Sequence, residues 1–170
     1  MSKIGLFVGS QTGKTEAAAE EIQEGLGGDD VVTIHKIEEA ENSDFEKYDN
    51  IIIGSPTWDI GELQSDWDAY FEELDNINFS GKKVAYFGTG DQEGYPDNFM
   101  DAIGILEAKI SELGGSTVGQ WPNDGYEFNE SKALKNGKFI GLALDDDNQS
   151  ELTEKRIKTW VAQLKQEFGV

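Results

Sequence analysis

The run Ser10-Gln11-Thr12-Gly13-Lys14-Thr15 follows directly on an apolar stretch, and a helical pattern begins near Glu16. Successive backbone N–H groups at such a turn, backed by a helix N-terminus, make an anion-binding concavity. The hydroxyls of Ser10, Thr12 and Thr15 can each donate a further hydrogen bond, so this place suits a phosphate. The plainer alternative is a well-capped helix start, with Thr12 or Thr15 as the cap. Other anion loops fit less well. A Walker A loop needs GxxxxGK[ST], but Gly9 and Gly13 stand one residue too close and Val8 occupies the required glycine position. The dinucleotide fingerprint GxGxxG is missing from this turn. Gly88-Thr89-Gly90-Asp91-Gln92-Glu93-Gly94 nearly imitates it, with the last glycine one residue late and after the wrong strand. A phospho-receiver domain would need an aspartate where Ser55 ends the third strand.

Two further loops each carry a large aromatic. Trp58 lies in Ser55-Pro56-Thr57-Trp58-Asp59-Ile60-Gly61, and Tyr95 lies in the stretch running from Gly88 to Asn98. In an open α/β sheet, ligands bind outside the carboxyl ends of the strands, where all three loops would meet. Trp58 and Tyr95 could there sandwich a flat ring system beside the phosphate nest. Taken singly, Trp58 could cover the sheet edge and Tyr95 could pack on Pro96 or Phe99. His35, the only histidine, is expected at the end of the second strand as a surface residue, away from these loops. The scattered carboxylates have no His or Cys companion, so no metal site is expected.

Composition narrows the chemistry. The 170 residues contain no cysteine, which excludes a thiolate nucleophile, a disulfide framework and a cysteine-ligated iron–sulfur cluster. Redox chemistry would have to reside on a bound cofactor. The formal charge is −20, from 34 acidic and 14 basic residues. Such a surface repels nucleic acid and anionic lipid and attracts a basic protein. Residues 48–81 and 84–108 hold no Lys or Arg, so a basic partner could approach a site in those segments quickly. No apolar run reaches membrane-spanning length, and the N-terminus reads as a first strand, not a signal peptide. A cytoplasmic protein without membrane insertion is expected.

The elements that must position these loops alternate in type. Residues 4–8, 31–34, 51–54 and 84–88 are continuous apolar, largely β-branched runs, as expected of strands covered on both faces. Helical spacing links Ala18, Ile22 and Leu26. It recurs at Leu63, Trp67, Tyr70, Phe71 and Leu74, at Phe99 through Leu113, and at Ile157 through Phe168. Ser150 or Thr153 could cap the last helix. The order implies an open α/β fold with right-handed crossovers. Residues 117–119 and 139–144 could be strands, with an irregular stretch at 121–138 between them. A last strand interrupted by a loop of about 20 residues would explain this, as would a short strand, a loop and an ordinary sixth strand.

At this point the chain resembles a flavodoxin of the long-chain type found in cyanobacteria and other bacteria. The resemblance rests on Ser10 to Thr15, on Pro56 to Trp67, on Ala85 to Gln92 with Gly94, Tyr95 and Asp97 to Phe99, and on Gly141 to Asp145 with Asp147 to Gln149. It covers essentially the whole chain, residues 1–170, as one domain. It implies a three-layer sandwich with a five-stranded parallel sheet in order 2-1-3-4-5, helices on both faces, and a fifth strand split by a loop at about 120–138. It implies non-covalent flavin mononucleotide (FMN). Ser10, Gln11, Thr12, Gly13, Lys14 and Thr15 would hold the phosphate, Trp58 the inner ring face and Tyr95 the outer. Pro56, Thr57, Asp59, Ile60 and Gly61 would form one wall. Thr89, Gly90, Asp91 and Gln92 would serve the pyrimidine edge, with Asn98 and Asp147 completing the site.

The function implied is a low-potential one-electron carrier, not an enzyme, cycling FMN between semiquinone and hydroquinone. Its partners would be basic redox proteins such as ferredoxin–NADP reductase and, in a photosynthetic host, photosystem I. A monomer is expected, since transient encounters suit an acidic face. An FMN-dependent reductase or quinone reductase on the same fold is the alternative, and a flavin-free anion-binding module is a second. Departures from the family pattern are Val8 for Tyr, Ser10 for Thr, Ser55 for Cys, Asp59 for Asn, and the added charge of Glu93. A negative hydroquinone beside Asp59, Glu62, Asp66, Asp91 and Glu93 is disfavoured by like charge in a low dielectric. Replacing Asp59 with Asn should therefore raise the second reduction potential, measured by redox titration of the FMN-loaded protein; an unchanged potential would count against that field argument.

Overall fold

The computed structural model describes residues 3–9, 13–58 and 60–170. The chain opens with strand β1 (Ile4–Val8), helix α1 (Lys14–Leu26) and strand β2 (Val32–Lys36). A short helix α2 (Asn42–Glu46) leads to β3 (Asn50–Trp58), which turns back through β4 (Glu62–Leu63) into α3 (Ser65–Tyr70). Then come β5 (Lys83–Thr89), α4 (Asp101–Glu112) and the short β6 (Ser116–Thr117). An excursion carries β7 (Trp121–Pro122), β8 (Leu134–Lys135) and β9 (Lys138–Phe139) before β10 (Leu142–Leu144) and α5 (Asp146–Phe168).

The main sheet runs β2-β1-β3-β5-β10, all parallel along this path. β6 pairs with the start of β5 at Lys83 and Val84, and β10 pairs with its end at Phe87 to Thr89. The fifth position of the expected 2-1-3-4-5 order is therefore one strand in two pieces. The interruption is not a plain loop, because β7, β9 and β8 form their own antiparallel sheet. Of the stretch 139–144 read as a single strand, Phe139 belongs to that small sheet and only 142–144 join the main one. Gly141 marks the change. A Cβ there would lie 2.1 Å from the Tyr86 carbonyl oxygen, so no other residue lets the chain pass so close to β5.

Every residue of β1 is buried, as are all of β5 but Lys83, consistent with helices on both faces. Trp160 of α5 meets the Phe87 ring at 6.2 Å, while Ile103 of α4 lies over Gly88. Adjacent strand residues point to opposite faces, so α5 and α4 cover opposite sides. α1 packs beside α5, where Gly25 gives room for Val161.

Several local expectations need correction. β3 continues through Trp58, because its last residues pair with β4 (Thr57 with Leu63, Trp58 with Glu62). Leu63 is thus a strand residue. The helix after it starts at Ser65, where the Gln64 side chain accepts the Asp66 and Trp67 amides. It tightens to 3₁₀ geometry from Phe71. α4 starts at Asp101 after Met100 in left-handed conformation (φ 63°), which leaves Phe99 outside it. α5 is capped by Asp145, not by Ser150 or Thr153, and is kinked at Gln149. His35 is half-buried within β2, stacked 4.7 Å from Phe7, with Nε2 2.8 Å from the Tyr48 hydroxyl. Burial lowers its pKa.

Candidate functional site

The parallel strands end together, and their carboxyl-end loops share one edge. At the exit of β1, the Gly9 amide donates to the Gly54 carbonyl at 3.1 Å. A Cβ on Gly9 would lie 2.3 Å from Gln64 Oε1 and 2.7 Å from Trp67 Cδ1. Trp67 is held there by its indole N–H, which donates to the Gly54 carbonyl at 2.9 Å. Ser10, Gln11 and Thr12 lie outside the described residues. Gly13 follows with φ 86° as the N-cap of α1. It brings no side chain to the first-turn amides, which have no partner within their own helix. Thr15 is buried, its hydroxyl 2.9 Å from that of Thr89 at the end of β5. Lys14 Nζ reaches across to Asp147 Oδ1 at 2.8 Å, and that hydrogen bond raises the lysine's pKa.

The second loop is a tight hairpin. The Gly61 amide donates to the Trp58 carbonyl at 3.0 Å; Asp59 lies outside the described residues. Ile60 stands 73% exposed at the tip. The hairpin leans on the start of α4. The Thr57 hydroxyl accepts the Ala102 amide at 3.0 Å, and Asn98, from the third loop, donates to Asp101 Oδ2 at 3.1 Å beside Gly61.

The third loop is shaped by Asp91. Its Oδ1 accepts the amides of Glu93 (3.1 Å) and Gly94 (2.8 Å), and its carbonyl accepts that of Tyr95 (2.9 Å). The Gly94 amide, then the Asn148 side chain, hold the carboxyl below the usual carboxylate range. Tyr95 is thereby presented 42% exposed at the rim. Gln92 is turned the other way. It is 3% exposed, and its side chain donates to Asp145 and accepts the Glu127 amide.

These loops enclose a cleft of about 190 Å³ lined by Lys14, Pro56, Thr57, Trp58, Thr89, Gly90, Asp91, Tyr95, Asp146 and Asp147. Nine of the residues singled out in the sequence line it; Asp146 was missed. Gly13 and Thr15 adjoin it, Ile60, Gly61 and Asn98 stand at the hairpin, and Gln92 lies beneath. Asp145 and Asp101, both buried, were also missed. Their signal was an acid at the start of a helix that directly follows a strand or loop of the site. A larger groove of about 800 Å³ lies between α1 and α5, but no aromatic lines it. Among the described residues, no group of His or acidic side chains is placed to hold a metal ion.

The Flavodoxin family profile matches residues 6–160. This chain belongs to the flavodoxin family. It is 70% identical to the flavodoxin of Trichodesmium erythraeum (strain IMS101) over the full length of both. It is 66% identical to that of Nostoc sp. (strain PCC 7120), covering 99% of this chain and 98% of the other. A flavodoxin of Fusobacterium nucleatum, solved bound to flavin mononucleotide, superposes with a TM-score of 0.92 at 35% identity, covering 99% of each chain. At the hairpin, Gly61 resists replacement on two counts. Its φ is 91°, and a Cβ would lie 2.6 Å from Asp101 Oδ2. Gly61→Ala should therefore cost about 1–3 kcal/mol in urea unfolding; an unchanged midpoint would show that the hairpin relaxes freely.

Proposed function

We propose that the cleft binds FMN without a covalent bond and that the chain carries single electrons between redox proteins. The observation that carries this is the joint lining of one cleft by Trp58, Tyr95 and the N-terminus of α1. The donor set fits the cofactor. A helix N-terminus favours a phosphate dianion, and two aromatics suit a flat tricyclic ring. FMN, when bound, supplies the redox chemistry, and the protein supplies binding, orientation and electrostatics.

In this reading residues 10–15 hold the phosphate. Thr15, tied to Thr89, fixes the nest to the sheet. Trp58 covers one ring face and Tyr95 the other. The backbone at Thr89 to Gln92 borders the pyrimidine edge. The hairpin at Asp59, Ile60 and Gly61 meets the ring beside Asn98, and Asp147 closes the phosphate side through Lys14. Electron transfer of this kind needs an exposed ring edge and a partner, and no acid–base pair. The whole chain then acts as one FMN-binding domain.

The partners are redox proteins. We assign them basic faces, as in ferredoxin–NADP reductase and, in a photosynthetic host, photosystem I, because acidic side chains surround a site whose flanking segments 48–81 and 84–108 lack Lys and Arg. Encounter would be fast and salt-sensitive, which suits a monomer in the cytoplasm. No helix is long and apolar enough to cross a membrane among the described residues.

Titrating the flavin-free chain with FMN, followed by quenching of flavin fluorescence, tests the cleft. Trp58→Ala and Tyr95→Ala should each weaken binding about ten- to a hundredfold, from the ~1–3 kcal/mol of a stacked aromatic. Wild-type affinity in both variants would place the ring elsewhere.

A further inference from the structure

The Asp145 carboxylate has no accessible surface, and among the described residues no cation pairs with it. Neutral donors surround it instead. Oδ2 accepts the Gln92 amide at 3.1 Å, Gln92 Nε2 at 2.8 Å and Asn148 Nδ2 at 2.9 Å. Oδ1 accepts the Asn148 amide at 3.0 Å. Burying a carboxylate is costly unless its lone pairs are met, so a buried acid this well satisfied fixes the groups that satisfy it.

Those groups belong to the Tyr95 loop. Asn148 Nδ2 also donates to Asp91 Oδ1 at 2.7 Å, the same oxygen that accepts the Glu93 and Gly94 amides. It thereby bridges the acid that shapes the loop and the acid that caps α5. Gln92 holds the loop from its other side, with Oε1 accepting the Glu127 amide at 2.6 Å. The kink at Gln149 sets residues 145–148 apart from the long helix, as a bracket facing the loop.

We infer that Asp145 is a positioning residue for the ring loop: acting through Gln92 and Asn148, it holds Asp91 to Tyr95 in the shape that presents Tyr95, and it touches no ligand itself. The inference rests on the proposed FMN site. An asparagine cannot replace the acid. One orientation sets its NH₂ against the Asn148 amide, and the other sets it against the donors of Gln92 and Asn148.

The test is Asp145→Asn in the full chain, read in two ways. Without added flavin, amide hydrogen exchange at Gly94 and Tyr95 should accelerate at least tenfold, while Ile22 in α1 and Ile103 in α4 keep their rates. The Kd values of FMN and of riboflavin, which lacks the phosphate, should both rise about tenfold, with the Kd of inorganic phosphate unchanged. Unaltered exchange at Gly94 and Tyr95, equal acceleration at all four amides, or unaltered riboflavin affinity would each overturn the inference. If Asp145→Asn does not fold, Gln92→Met removes the Nε2 donor and the Oε1 acceptor and is held to the same readings. A wild-type chain that binds neither flavin would defeat the proposed function, and exchange at Gly94 and Tyr95 would still decide the bracket.

Discussion

The hydrogen bonds to the buried Asp145 carboxylate join segments that lie far apart in the chain. Gln92 comes from the loop after β5, Asn148 from the start of α5, and through Gln92 the Glu127 amide brings in the excursion that splits the last strand. The sheet alone fixes where its strands end. It does not fix loops that leave those ends, and loops are the part of a fold with the fewest partners of their own. At the opposite side of the site Asp101 plays a matching part, accepting the Asn98 side chain and the Lys132 amide at 2.7 Å.

Both acids stand at helix N-termini, Asp145 as the cap of α5 and Asp101 as the first residue of α4. The helix dipole favours a negative charge there, and backbone amides supply the donors. Neither acid pairs with a Lys or Arg among the described residues. That choice bears on the cleft, because a buried cation beside it would offset the negative field of Asp91, Asp146 and Asp147. Among the described residues Lys14 is the one cation lining the cleft, and it is itself joined to Asp147.

Much of this was legible in the sequence. The apolar runs at 4–8, 51–54 and 84–88 could be read as central strands because they are buried on both faces. Lys14 at the start of α1 and the aromatics at 58 and 95 could be placed at one edge because parallel strands end together. Hairpin pairing was not legible. It carried β3 on to Trp58 and made Leu63 a strand residue, since a two-residue partner leaves no periodic signal. The small sheet of β7, β8 and β9 was hidden for the same reason. Gln92 reads as a ligand by its place in the loop, yet its side chain points inward, donating to the buried Asp145 and accepting the Glu127 amide. His35 reads as a surface residue by type, yet the Phe7 ring and the Tyr48 hydroxyl enclose it.

A flavin held in the proposed cleft should take electrons one at a time. The visible spectrum of the FMN-loaded chain, recorded during stepwise anaerobic reduction, tests it most directly. The two-band flavin spectrum should give way to a broad band in the red, which fades only as reduction is completed. A bound flavin that bleaches in one two-electron step, with no red band, would contradict it and favour a reductase.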